Sequence, residues 1–569
     1  MWINAIFRPG SLTAVMGASG AGKTTLLNLL AAVSTNRGAT VSGSIKVNGQ
    51  TTTEHGIKMK YISGYVHQDD VLLDTMTVKE ALEMSATLRL PKSCDKQQCI
   101  EELLAILGLE GCQNTKIGST MTKGVSGGER KRTAIGMEMI TNPAVLFLDE
   151  PTSGLDTFTA FNVISTLVEL AHDQGRTIVA TIHQPSSDVF HMFDDLLLLA
   201  KGTVVYHGPV SKVVPYFARY GFDCPRYCNP ADFVFMQVLN TQHDGAEERI
   251  DRMLGFWKDS PENKALIDEL ANLSASSIPE NALRTKTPFL SQIGYLFKRS
   301  FRNVIRNPMA SRVRLFQCIF LGTLIGTIFF NVNSKPFQAQ IQDRIGALFF
   351  IVVNHFMGNA MGVLQAFSHE RPVFLREYSQ GYYSLNSYYF TKVAVELPFQ
   401  IIPPILFVLI CYFMIGFQRS FGHFIILALN AILCAFCGMG LGFVAGSAFP
   451  NVGVGLAILP MLILPLMLFS GLYINTGSMP SWLAWIKDIS PTFYAFNAAV
   501  KNEFTGLEVV NCPPGVSSPC SAEIALDQLS MAGGPTILES FLVLSGTYLI
   551  LLAIGYIALW LLSRYQRSR

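Results

Sequence analysis

The chain has 569 residues, half of them apolar and only 15% charged, with a formal net charge of +2. That balance gives no sign of a nucleic-acid partner, and the length allows two or more domains. The start, Met1-Trp2-Ile3-Asn4, lacks the basic and apolar regions of a signal peptide, so the first domain is expected to stay in the cytosol.

Residues 1–240 read as alternating strand and helix. Leu12 to Met16 is an apolar run entering a glycine-rich loop, and a helix is predicted over Lys23 to Ala32. Ala144 to Leu148 and Thr177 to Ile182 have the length and apolarity of buried parallel strands. Residues 241–288 are polar and read as a linker with some helix. Residues 289–312 predict an amphipathic connecting helix. With Lys298, Arg299, Arg302, Arg306, Arg312 and Arg314, this region makes a strongly basic approach to a membrane.

Residues 313–569 hold six apolar segments, at about 313–331, 343–366, 387–414, 422–447, 452–474 and 537–562. Each is near the ~20 residues that a bilayer needs. The basic cluster before the first segment, and Arg564, Arg567 and Arg569 after the last, mark both ends as cytosolic. The loop 475–536, whose only basic residues are Lys487 and Lys501, is then external or lumenal. It has no Asn-x-Ser/Thr acceptor, so glycosylation is not expected there. The plasma membrane is the expected location in preference to an internal one.

Eleven cysteines are scattered without the spacing of a metal framework. Cys224 and Cys228 have no second pair at zinc spacing and read as loop cysteines. Cys512 and Cys520 flank a segment rich in Pro, Gly and Ser in the external loop, where an oxidising compartment permits a disulfide. The sequence leaves open whether that disulfide closes within the chain or onto a partner.

Gly17-Ala18-Ser19-Gly20-Ala21-Gly22-Lys23-Thr24 matches the phosphate-loop pattern between a strand and a helix. Its backbone N–H groups are expected to cradle phosphates at the helix start, with Thr25 following. Lys23 reaches the β- and γ-phosphates, and the Thr24 hydroxyl is a ligand for Mg²⁺. Asp149 closes an apolar strand, where a carboxylate holds the Mg²⁺ shell. Glu150 follows as candidate general base for the attacking water. A strand-capping Asp-Glu pair is the plainer reading of the same residues. His183, after a second strand, is a candidate γ-phosphate contact, and a structural histidine is its alternative.

A phosphate loop alone leaves many functions open. Val125-Ser126-Gly127-Gly128-Glu129-Arg130 narrows the chain to an ATPase of the ATP-binding-cassette (ABC) kind, because that loop must face a nucleotide held by a second cassette. With these motifs the chain resembles a half-size ABC transporter of the G subfamily, the white or breast-cancer-resistance-protein type. Asn229-Pro230-Ala231-Asp232-Phe233, Glu370-Arg371-Pro372-Val373-Phe374, Gly381-Tyr382-Tyr383-Ser384 and Phe469-Ser470-Gly471-Leu472 also resemble that subfamily, so the likeness covers nearly the whole chain.

The resemblance implies an α/β P-loop ATPase cassette, with a RecA-like core and a helical subdomain. An all-α six-helix transmembrane domain of the ABC type-2 exporter kind follows it. It makes Gln68 the glutamine that senses Mg²⁺. Ser126, Gly127 and Gly128 become the loop that closes over a partner's ATP, and Asp156 lies at the dimer seam. Such cassettes usually begin with more chain, whereas seven residues precede the turn at Arg8-Pro9-Gly10 here, so a shortened start is expected. The partner is a second half-transporter, a homodimer being preferred and a heterodimer left open. The function implied is ATP-driven export of lipid, sterol or amphipathic small molecules. The alternative is a nucleotide-binding regulatory subunit of a heterodimeric transporter.

The resemblance also places a substrate cavity between the second and fifth spans of two protomers, here Phe349, Phe350, Asn354 and Met357 facing Ile463 and Met467. Lipid-facing or packing side chains are the plainer reading. Multidrug members carry an aromatic clamp where this chain has Met357, and a di-leucine where it has Leu472-Tyr473, which argues against drug polyspecificity. Glu396 lies within span three as a functional or an interface carboxylate. The elbow His369 to Ser384 is expected to receive the cassette stroke. Its Arg371, Arg376 and Glu377 either form ion pairs or stay solvated.

Overall fold

The computed structural model describes residues 3–33, 40–52, 59–119, 122–239, 246–276, 287–306, 308–475, 477, 479–509, 512 and 520–567. Two units emerge from the packing. One holds Met1–Gln292, Arg376–Ser384 and Tyr565–Arg569; the other holds Ile293–Leu375 and Leu385–Arg564.

The first unit is built on a six-stranded sheet. Its strands are β1 (Leu12–Gly17), β2 (Ser63–Val66), β3 (Val145–Leu148), β4 (Thr177–Thr181), β5 (Asp195–Ala200) and β6 (Thr203–Pro209). The spatial order is β2-β3-β4-β1-β5-β6; all neighbours are parallel except β5 and β6, joined by a tight antiparallel hairpin. Every residue of β1 and β5 is buried, which is why both strands are mostly apolar. Because β1 lies between β4 and β5, a crevice opens at its carboxyl end, where ligands bind in open α/β sheets.

Helix α1 (Lys23–Leu30) leaves that crevice, α2 (Val78–Arg89) packs on α3 (Gly127–Met139), and α3 in turn meets α4 (Thr157–His172). The last three start from side-chain caps, namely Thr77 with Glu80, Ser126 with Glu129, and Asp156. The stretch expected to be a linker with some helix holds two helices among its described residues, α5 (Ala246–Asp259) and α6 (Pro261–Ala271). Helix α5 buries Ile250, Met253 and Trp257, the indole lying edge-on to Tyr206 of β6, so this segment is part of the first unit's core.

After α7 (Phe289–Arg306), the second unit is helical: α8 (Pro308–Ile328), α9 (Phe337–Ser379), α10 (Leu385–Ile415), α11 (Phe421–Ala448), α12 (Val452–Leu468), α13 (Pro491–Phe504) and α14 (Ile537–Arg567). Among the described residues five helical stretches are long and apolar enough to cross a membrane, and α12 is a shorter apolar helix. Helix α12 ends at Leu468, short of the expected 474, and the chain turns through Gly471 at φ 102°. Helix α9 has 43 residues, about 65 Å at 1.5 Å per residue, roughly twice a hydrocarbon core. The elbow expected from His369 is therefore helical as far as Ser379.

A glycine stripe decides how α11 meets α9. A Cβ on Gly438 would stand 2.3 Å from the Phe356 carbonyl oxygen, and one on Gly442 would stand 2.6 Å from that of Ala360. These small residues let two backbones touch where no hydrophobic effect drives helices together. Beyond α12, the buried helix α13 carries Glu503, which pairs with the equally buried Arg344 of α9. Cys512 and Cys520 form a disulfide within the chain.

Candidate nucleotide site

The phosphate loop joins β1 directly to α1, and its backbone needs glycine. Gly20 and Gly22 have φ of 79° and 96°, and a Cβ on Gly17 would stand 2.3 Å from the Leu199 carbonyl oxygen. Lys23 is buried, its ammonium donating to the carbonyls of Gly17 at 2.8 Å and Ala18 at 3.3 Å. Burial lowers its pKa, opposed by the charges of Glu150 and Asp149. Thr24 and Thr25 lie exposed on the first turn of α1.

Strand pairing brings the distant acidic residues to this loop. Val66 pairs with Leu148 across β2 and β3, and the Asp149 N–H donates to the Val66 carbonyl at 2.9 Å. Asp149 accepts from the hydroxyls of Thr24 at 3.1 Å and Thr181 at 2.7 Å, while the Thr181 hydroxyl accepts the Glu150 N–H at 2.8 Å. The Gln68 amide donates to the Glu150 carboxylate at 2.8 Å. Glu150 has φ of 45°, a left-handed backbone that a non-glycine residue holds only under constraint, and such strain gathers at functional sites. Burial beside Asp149 pushes the Tyr65 phenol well above its usual range, keeping it neutral.

A cleft of about 310 Å³ places Glu150 and His183 on common walls with Leu155 and Thr157. Ser126 and Gly127 are exposed at the start of α3, and Gly128 packs against Thr159, where a Cβ would stand 2.3 Å from that side chain. Asp156 caps α4 by accepting the Thr159 N–H at 3.0 Å. Thr181 was not singled out from sequence; its only signal there is its place at the end of a predicted strand.

Known protein families match both units. The ABC transporter family model matches residues 2–153, and ABC-2 type transporter models match residues 183–252 and 291–504. The mouse broad substrate specificity ATP-binding cassette transporter ABCG2 is 38% identical, over 90% of this chain and 80% of its own length. The Drosophila melanogaster protein white is 34% identical, over 92% of this chain and 77% of its own. The chain belongs to the G subfamily of ABC transporters. It is an ATP-driven half-transporter, with one ATP-hydrolysing cassette and one membrane domain.

In this half-transporter the segment Arg376–Ser384, the last turn of α9 and the link to α10, packs as part of the cassette unit. Tyr382 is fully buried, with the Arg89 guanidinium 4.6 Å from its ring centroid. Its hydroxyl accepts from Arg89 at 3.0 Å and donates to Glu138 at 3.1 Å, and Arg89 pairs with Glu138 at 3.1 Å. Gln380 donates to the Tyr65 carbonyl at 2.9 Å. The elbow charges are not solvated: Arg371 donates to the carbonyls of Gly446, Phe449 and Pro450, and Glu377 accepts the Tyr383 hydroxyl at 2.5 Å. Arg376 stands 4.0 Å from Glu377. Tyr382 was legible only as part of a quoted motif, because nothing local shows which buried charges a tyrosine will meet.

Within the membrane unit, Glu396 belongs to a closed charge cluster. Lys392 is 3.0 Å from Glu370 and 3.5 Å from Glu396, Arg314 is 3.5 Å from Glu396, and Asn303 donates to Glu370 at 2.9 Å. Of the candidate cavity residues, Phe349 and Ile463 are buried in this unit's core, Phe349 edge-on to Tyr473 and Phe496. Phe350, Asn354, Met357 and Met467 are half-buried.

Proposed function

We propose that this half-transporter works as a dimer, preferably of two identical chains in the plasma membrane, and exports lipids, sterols or flat amphipathic molecules. The observation that carries the reading is the hydrogen-bonded set Thr24, Asp149, Thr181, Glu150 and Gln68 beside the phosphate loop. Backbone N–H groups from Gly17 to Thr25 bind the phosphates, and Lys23 neutralises the β- and γ-phosphate charge. Glu150 is the general base: its carboxylate takes the proton from the water that attacks the γ-phosphate, and Gln68 orients that carboxylate. His183, which lines the same cleft as Glu150, contacts the γ-phosphate.

The oxygen donors of Thr24, Asp149 and Gln68 suit a hard divalent cation, so these residues would hold Mg²⁺. When bound, that ion supplies charge neutralisation at the β- and γ-oxygens. Ser126, Gly127 and Gly128 are lent to the ATP of the other cassette, with Asp156 at the seam. The mouse relative is named for broad substrate specificity and Drosophila white is not, so the names alone leave the substrate open. The slot of Phe350, Asn354, Met357 and Met467, apolar with one amide, favours a flat amphipathic ligand. Domain limits of 1–240 for the cassette core, to which the segment Ala246–Ala271 adds its packed helices, and 313–569 for the membrane domain belong to the same proposal. ATPase activity in proteoliposomes across sterols, phospholipids and amphipathic drugs tests it. Stimulation by none of the panel, in a chain whose basal ATPase is intact, would remove the substrate class.

A further inference from the structure

Helix α3 begins at the Ser126 loop and, within its first turns, grips a second loop. Lys131 is 2% exposed, yet its ammonium is fully engaged. It donates to the Gln68 carbonyl at 2.8 Å and the His67 carbonyl at 3.4 Å, and meets Asp70 Oδ1 at 2.8 Å as a charge contact rather than an aligned hydrogen bond. Its neighbour Arg130 donates to the Asp70 carbonyl at 2.9 Å and the Gly118 carbonyl at 3.0 Å. At the other end of the same turns, the Glu129 carboxylate accepts the Ser126 N–H at 2.8 Å and the Ser126 hydroxyl at 2.9 Å. Ser126 and Lys131 are five residues apart, about 7.5 Å along a helix. The loop that bears Gln68 and the loop that bears Ser126 are thus fastened to one short rigid piece.

The two loops serve different nucleotides. Gln68 touches Glu150 at 2.8 Å, beside this chain's own phosphate loop. Ser126 to Gly128 serve the partner's ATP in the dimeric reading above, on which this inference rests. We propose that Lys131 is a positioning residue that transmits movement of the Gln68 loop through α3 to the Ser126 loop. Each cassette thereby links ATP at its own site to ATP at its partner's site.

The physical basis is the burial of a charged group whose donors are all committed to one loop. An ammonium cannot leave that loop for apolar surroundings, so it follows when the loop moves. Asp70 adds a charge that holds it in register. Linkage between two binding sites needs a two-position element that both ligands bias, and a helix anchored to both loops supplies one.

The test uses the full chain in proteoliposomes, with ATPase rates measured against ATP concentration. Lys131→Met keeps the aliphatic stem and removes the charge and its donors. The expected result is a Hill coefficient that falls from well above 1 in the parent to about 1. The maximal rate should drop about tenfold, and photolabelling by an ATP analogue in the cold should stay within about twofold. Lys131→Arg should restore the Hill coefficient. Asp70→Asn, which leaves Lys131 its two carbonyl partners, provides a second measurement should Lys131→Met fail to fold, and should lower the Hill coefficient in the same direction. A fall in rate with the Hill coefficient unchanged would mark Lys131 as merely structural and overturn the inference. A parent Hill coefficient of 1 would overturn it as well. Mass measurement of the Glu150→Gln chain in nanodiscs with ATP separates the two failures: a monomer there sinks the dimeric reading, whereas a dimer leaves that reading standing.

Discussion

The phosphate-loop site of the cassette and the interior of the membrane unit treat charge in opposite ways, while elsewhere in the cassette Arg89 and Glu138 form a buried pair as the membrane charges do. At the nucleotide site, Asp149 and Glu150 are held by neutral hydroxyls and amides from Thr24, Thr181 and Gln68, so their negative charge is oriented rather than cancelled. In the membrane unit, Lys392, Arg314, Glu370 and Glu396 cancel one another, as Arg344 and Glu503 do near its other end. Charge left uncancelled at a cleft is available for chemistry. Charge cancelled inside an apolar bundle fixes the packing, because either partner alone would be costly to bury.

Substitutions on the two sides should therefore fail differently. In the cassette, Glu150→Gln should cut ATPase activity by about 10²–10⁴-fold while ATP photolabelling persists; vigorous turnover would take the general-base role from Glu150. In the membrane unit, Lys392→Met should lower stability by about 3–5 kcal/mol, because it leaves Glu370 and Glu396 without their shared cation. Thermal unfolding in lipid would read this, and a shift equivalent to under 1 kcal/mol would show that the cluster is not held by charge.

A pH effect comes next in size. Burial lowers the His67 pKa from 6.5 to about 4, so the unfolded chain takes up a proton below pH 6.5 that the folded chain refuses until about pH 4. Its stabilising contribution is complete above pH 6.5 and is lost as the pH falls towards 4, by at most ~3 kcal/mol. His67→Leu should flatten that part of the stability profile, and an unchanged slope would place the titration elsewhere. Smaller again, Tyr382→Phe should remove about 1–2 kcal/mol by leaving Arg89 and Glu138 one partner short, measured as faster amide hydrogen exchange around α2 and α3, and unchanged exchange there would show that the hydroxyl adds nothing. Smallest of all is Lys201→Ala. Its pair with Asp251 is solvent-exposed, so unfolding should move by under ~0.5 kcal/mol, and a larger shift would contradict the exposed geometry.

The same contrast governs how far each region can be read from its residues. The nucleotide site was legible because its chemistry is local. A phosphate loop, a strand ending in Asp149-Glu150 and a capped helix at Ser126 each occupy a few consecutive residues. The membrane helices were legible because a bilayer demands length and apolarity, although α12 stopped early and α9 ran far past the expected limits. The polar stretch read as a linker with some helix did not show that α5 buries Trp257 in the first unit's core, because the few apolar residues that anchor it are diluted by charged ones.

Sequence alone determined the type of chemistry and the positions of the apolar segments, and it named the residues proposed to bind phosphate. Tertiary structure alone decided which distant groups meet. Thr181 reaches Asp149 only through strand pairing, Lys131 reaches the Gln68 loop only through the packing of α3, and Tyr382 finds Arg89 and Glu138 inside the cassette unit. The reason is range: backbone periodicity and capping act over a few residues, whereas a buried polar atom must be satisfied by whatever partner the fold delivers, at any separation along the chain.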